Sequence, residues 1–102
     1  MSTATNAAPA AALALGPEMT IAHAASWHET LARALGAHSG DLALDLSGVS
    51  DFDSSGVQLL LAARRTLAER GDALALVAAS AAVVDALATF GLQALLPVHA
   101  GA

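Results

Sequence analysis

The chain has no cysteine, so disulfides, zinc thiolate sites and cysteine nucleophiles are excluded. Aromatic residues make up only 3% of it, so a core has to be built from Leu, Val and Ala, with Trp27, Phe52 and Phe90 as the few large pieces. Lysine is absent too. The basic residues are Arg33, Arg64, Arg65 and Arg70, and the formal net charge is −5. An acidic chain without a basic stripe is a poor match for phosphate backbones, and no direct nucleic-acid partner is expected. Long apolar runs are also lacking. The longest, Ala73–Ala79, stops at Ser80 and resumes only to Val84 before Asp85, well short of the ~20 residues that span a bilayer. The N-terminus shows no charged region followed by a signal-peptide core. A soluble cytoplasmic protein is the expectation.

The 102 residues suit one small domain with a single core. Hydrophobic residues reach 56% against 13% charged, a globular balance, although much of the apolar content is alanine, which favours helices but fills little volume. Met1–Ala11 has no periodicity and reads as a flexible tail, as does 99–102. Between them, Ala12–Leu15 and Met19–Ala22 flank Gly16-Pro17-Glu18 and read as an antiparallel hairpin. His23–Ala37 carries Trp27, Leu31, Ala34 and Leu35 at helical spacing, with a capping box at Ser26-Trp27-His28-Glu29 and Gly36 as an end signal.

Leu42–Leu46 alternates as a strand, and a second helix follows from about Ser54 to Arg70, closed by Gly71. The continuous apolar run Ala73–Ala78 fits a strand buried on both faces. Ser80 can cap a third helix through Phe90, with Val83, Val84, Leu87 and Phe90 facing inward and Gly91 ending it. Pro97 argues against a central strand in Leu92–Val98. The order predicts an α/β fold: an initial hairpin, then parallel βαβ units, with helices packed on a mixed sheet.

The stretch that organises the chain is Asp51-Phe52-Asp53-Ser54-Ser55-Gly56, between strand and helix. Right-handed crossovers put it at the carboxyl edge of the parallel strands, beside a helix N-terminus. Asp53, Ser54 or Ser55 can each cap that helix, and Ser55-Gly56-Val57-Gln58 spells a capping box. One cap suffices, so a surplus hydroxyl remains.

As a hydrolase elbow the stretch lacks the first glycine of Gly-x-Ser-x-Gly and a placed histidine base. As a phosphate cradle it lacks glycine spacing and lysine. Asp45, Asp51 and Asp53 do not form a Ca²⁺ loop, and His23, His28, His38 and His99 show no ligand spacing. No catalytic residue, metal or cofactor is expected. A serine modified by a partner fits the remaining chemistry, because phosphate beside Asp51 and Asp53 concentrates negative charge on an exposed surface.

From about Ala12 to Val98 the chain resembles the STAS domain of bacterial anti-sigma factor antagonists. The resemblance rests on Leu44-Asp45-Leu46-Ser47-Gly48-Val49-Ser50-Asp51-Phe52-Asp53-Ser54-Ser55-Gly56-Val57 and continues through Gly71, Leu74–Val77, Ser80 and Phe90-Gly91-Leu92. It implies a non-enzymatic module in transcription regulation. By position, Ser54 would be the residue phosphorylated by a cognate anti-sigma kinase and reset by a phosphatase, with Asp53 as its hydrogen-bonding neighbour. Only the unphosphorylated form would bind the kinase and free the sigma factor. Asp51, Phe52, Ser55 and Gly56 would complete the switch loop, Gly56 allowing a partner to approach closely. Ala81 replaces a proline that often follows the serine of the third helix. Val57–Leu61 also looks like STAS proteins of chemotaxis systems, and related subunits serve phospholipid-trafficking ABC transporters. Those commonly carry threonine at the Ser54 position.

Overall fold

Five short strands and three helices alternate along the computed structural model, which describes residues 12–37 and 39–95. They are β1 (Leu13–Ala14), β2 (Glu18–Met19), α1 (Ala24–Ala37), β3 (Leu42–Leu46), β4 (Asp51–Phe52), α2 (Ser54–Glu69), β5 (Leu74–Ala79) and α3 (Ala81–Thr89). A 3-10 turn, Ile21–His23, leads into α1, and another, Gln93–Leu95, follows α3. The two expected tails and the end of the expected domain, 96–98, lie outside the described residues.

β3 lies between β1 and β5, and β2 pairs with β4 in a second ladder. All three pairings are parallel. The first two strands therefore do not form the expected hairpin. Leu13 and Ala14 pair with Leu44 and Asp45, while Glu18 and Met19 pair with Asp51 and Phe52. Two chain segments run side by side in the same direction, and their pairing breaks once, where the later segment carries two more residues.

Gly16 explains why the turn signal misleads. Its φ of 132° suits glycine, and a Cβ there would stand 2.9 Å from the Gly48 carbonyl oxygen. The chain kinks closely over the Ser47–Ser50 loop without reversing. Ser50 N–H and Asp51 N–H donate to the Pro17 carbonyl at 2.8 and 3.2 Å, stitching the two segments across the break.

The core follows the β3 alternation. Leu42, Leu44 and Leu46 are buried, and Ala43 and Asp45 between them are half-buried. Leu60 and Leu67 of α2, Val83 and Leu87 of α3 and Met19 of β2 are fully enclosed with them. Each such aliphatic side chain contributes about 1.5–3 kcal/mol relative to exposure. Among the described residues no polar or charged side chain is buried. The aromatics stay at the margin: Trp27 and Phe52 pack against the core from outside, and Phe90 caps the end of α3 with 51% of its surface exposed, not inward.

β5 differs from expectation as well. Leu76 is buried, but Ala75 and Val77 are exposed, so this strand covers one face and sits at the edge of the described sheet. Its apolar run is half alanine, which reads as buried by hydropathy while needing little burial.

Helix ends follow local chemistry closely. α2 ends at Arg70 and Gly71 (φ 83°), with Asp72 N–H donating to the Leu67 carbonyl and Gly71 N–H to Ala68. α3 repeats the motif with Gly91 (φ 72°) and Leu92 N–H on Leu87. Both are Schellman closures. Ser80 caps α3 by accepting from Val83 N–H at 3.3 Å. α1 begins at Ala24 off the 3-10 turn, so Ser26 lies inside it, and Gly36 is also helical.

Candidate functional site

The carboxyl end of β3 opens into a loop held by its own aspartate. Asp45 Oδ1 accepts from the Ser47 hydroxyl at 2.6 Å and the Ser47 N–H at 2.9 Å, which holds its carboxyl below the usual carboxylate range. Ser50 Oγ donates to the Pro17 carbonyl at 3.3 Å. The chain then enters β4 and turns directly into α2.

Asp53 controls that turn. It is the N-cap of α2, with extended backbone, and its Oδ1 accepts from Ser55 N–H at 2.8 Å. Its Oδ2 accepts from Ile21 N–H at 3.1 Å, so one carboxylate joins the start of α2 to the 3-10 turn before α1. The Ile21 N–H is the main cause that lowers the Asp53 pKa; partial desolvation opposes it, and Ser55 N–H adds to the lowering. Gly56 and Val57 N–H groups donate to the Asp53 carbonyl at 2.9 and 3.2 Å. The capping box expected at Ser55 and Gln58 is therefore not the one used.

Gly56 is buried within the first turn of α2. A Cβ on it would meet the Phe52 ring at 2.5 Å and the Met19 carbonyl oxygen at 2.9 Å. The close approach that glycine permits here is made by the chain itself. Phe52 thus lies half-buried over the helix start, and Ser55 is also half-buried.

Ser54 is the first residue of α2 and is exposed. Its hydroxyl makes no hydrogen bond among the described residues, and none to Asp53, whose oxygens serve Ser55 and Ile21. Asp51 is exposed and sits beside Glu18 in the β2–β4 ladder. Glu18 in turn binds His23 Nε2 at 2.7 Å. The six residues of the loop are contiguous in space, and the edge they form is acidic. Arg64 and Arg65 are exposed further along α2.

Sequence reasoning missed Ile21, Glu18 and His23 as neighbours of this loop. Ile21 is 75% exposed although its N–H is fixed by Asp53. The signal was an isoleucine just ahead of a helix, and nothing local ties it to a residue 32 positions away. Among the described residues no group of three His, Asp or Glu could hold a metal, and no helix is long and apolar enough to cross a membrane.

Parallel strands packed with three helices, and a capped helix start with an exposed serine, define a small α/β domain among the described residues. The family model described as Mlab, STAS domain matches residues 3–97, and the chain belongs to the STAS domain family. STAS domains are regulatory modules that generally bind other proteins and do not catalyse reactions. No curated protein and no solved structure matches the chain.

Proposed function

We propose that the chain is an anti-sigma factor antagonist in the cytoplasm, switched by reversible phosphorylation of Ser54. The observation that carries this reading is the free, exposed Ser54 hydroxyl at a helix start that Asp53 already caps. A structural serine at this position would be spent on the backbone. This one is left for a partner.

The switch follows from charge. A phosphate adds about −1.5 to −2 at neutral pH. The N–H groups it would otherwise attract are engaged by Asp53, and the nearest acidic neighbours, Asp51 and Asp53, repel it. The modified face then carries unmatched charge that a docking kinase or anti-sigma factor must desolvate. Removal of the phosphate by a cognate phosphatase restores the docking face. No enzymatic step and no cofactor is assigned to this chain.

A second reading has its own support, since the matched family is of the Mlab type. Here the chain is a constitutive STAS subunit of a phospholipid-trafficking ABC transporter or a chemosensory assembly, and Ser54 is a contact residue. Intact mass of the protein from its native cells, with the modified peptide mapped, separates the two. A fractional single phosphate on Ser54, with partner affinity falling at least about tenfold in Ser54→Asp, supports the switch. Unmodified protein under growth and stress, with Ser54→Ala silent, supports the subunit.

A further inference from the structure

Asp53 stands where the β2–β4 ladder gives way to α2. Its N–H still bonds as a strand residue, donating to the Met19 carbonyl at 3.4 Å. In a regular parallel ladder the next bond would run from the Ile21 N–H to the Asp53 carbonyl. That carbonyl has turned into the helix and accepts from Gly56 and Val57 N–H instead. The Asp53 carboxylate takes its place: Oδ2 receives the Ile21 N–H at 3.1 Å, and Oδ1 the Ser55 N–H at 2.8 Å. One side chain therefore finishes the ladder and starts the helix.

The 3-10 turn that this bond reaches is otherwise bonded only to its own neighbourhood among the described residues. His23 N–H donates to the Thr20 carbonyl at 2.9 Å, Ala24 N–H donates to Ile21, and the His23 ring pairs with Glu18 at 2.7 Å. All of these stay within Glu18–Ala24. The Asp53–Ile21 bond is the one that ties the turn to α2. Thr20, at the start of the turn, makes no side-chain cap. Ile21 itself is 75% exposed, and an exposed residue with one long-range bond sits at the loosely held end of a structure.

Ser54 follows Asp53 directly and is exposed. We propose that Asp53 is a latch: a phosphate on Ser54 weakens the hold of the carboxylate on the Ile21 N–H and frees the Ile21–His23 turn. The inference rests on the reading that Ser54 is the phosphorylated residue. In that step the Ser54 hydroxyl loses its proton and bonds the terminal phosphoryl group of a nucleoside triphosphate, and the diphosphate leaves. The phosphate carries a charge of about −1.5 to −2, competes for the Ser55 N–H and repels the adjacent carboxylate. Backbone N–H dipoles, not a full positive charge, hold that carboxylate, so the new anion is a strong competitor. Once released, Ile21 is no longer presented at a defined place. A partner that uses it then has to order the turn on binding, which lowers affinity beyond the effect of charge at Ser54.

The test reads the Ile21 N–H by NMR in the ¹⁵N-labelled full chain, with phosphoserine installed at Ser54 during synthesis. Solvent exchange of that amide at fixed pH should quicken at least about fivefold, while the amides of the buried Leu44 and Leu60 keep their rates. The sign is diagnostic, because the field of the phosphate alone repels hydroxide and slows base-catalysed exchange. Asp53→Ala removes the latch and should quicken Ile21 exchange to a similar extent. Phosphoserine added to that variant should then quicken it no further. Asp53→Asn, a milder change that keeps one acceptor oxygen, gives the same comparison where the alanine variant loses its fold.

An Ile21 exchange rate that phosphoserine leaves unchanged or slows overturns the latch. So does equal quickening with and without the Asp53 carboxylate, since the phosphate would then act on the turn directly. Neither result touches the switch, because the phosphate is installed and not supplied by a cell. Protein from native cells without phosphate on Ser54 overturns the switch instead, and the exchange rates still decide the latch.

Discussion

Replacing Gly56 by alanine tests how the start of α2 is held against β4. The new Cβ would lie 2.5 and 2.7 Å from Cε1 and Cδ1 of Phe52 and 2.9 Å from the Met19 carbonyl oxygen. The ring can yield by rotating. The carbonyl cannot, because Met19 is fully buried and pairs with Phe52 in the β2–β4 ladder. Overpacking of this kind costs about 1–3 kcal/mol. The better helix propensity of alanine offsets up to about 1 kcal/mol. With two contacts at once, one of them on backbone, a mid-range cost of about 2 kcal/mol less that offset leaves a net loss of about 1–2 kcal/mol, which for a domain of this size lowers the melting temperature by about 5–15 °C.

Thermal unfolding followed by far-UV circular dichroism measures the fall, and the denaturant midpoint checks it. Adding Phe52→Leu should recover part of the loss, since it relieves the ring contact but not the carbonyl contact. An unchanged or raised melting temperature in Gly56→Ala would refute the argument, because helix propensity would then outweigh the packing. Strict additivity in the double variant would refute the Phe52–Gly56 contact itself.

Asp53 has a lowered pKa in the folded state, so its contribution to stability is complete above pH about 4 and is lost as pH falls through the folded value. Melting temperatures of the wild type and Asp53→Asn should differ at pH 7 and converge in acid; a constant gap down to pH 2 would contradict the assignment. Ser80→Ala removes the α3 cap and should cost about 1 kcal/mol, seen as a fall of about 4–8 °C in the melting temperature. Ser54→Ala removes no cap, so its stability by denaturant titration should stay within about 0.5 kcal/mol of wild type.

Where a residue's role is local, the sequence was readable. Leu42–Leu46 alternates because one face of β3 is buried, and the strand has those bounds. Gly71, Gly91 and Ser80 act through groups three to five residues away, and each does what its residue type suggests. The failures share a cause in distance along the chain. Strands of two residues carry no information about direction, so Gly16-Pro17 suggested a hairpin where the partners are Leu44 and Asp51. Asp53, Ser54 and Ser55 are equal candidates for the cap by residue type; Asp53 takes it because its Oδ1 accepts from Ser55 N–H, while its Oδ2 is held by the distant Ile21 N–H. The stretch that matters could be named from sequence; the division of labour within it depended on Met19 and Ile21.

The all-parallel pairing among the described strands bears on how quickly the domain folds. Leu13 meets Leu44, and Leu42 meets Leu74, so every ladder joins positions roughly thirty residues apart. Among the described strands there is no hairpin to form early and serve as a template. A long loop containing a helix has to close before the first inter-strand bond is made, and that entropy is lost before any contact compensates for it. Refolding should therefore run on the millisecond-to-second scale typical of non-local topologies, not the microseconds open to a helical bundle of equal length. Newly made chains would spend that interval with the strand edges of β3 and β5 unpaired.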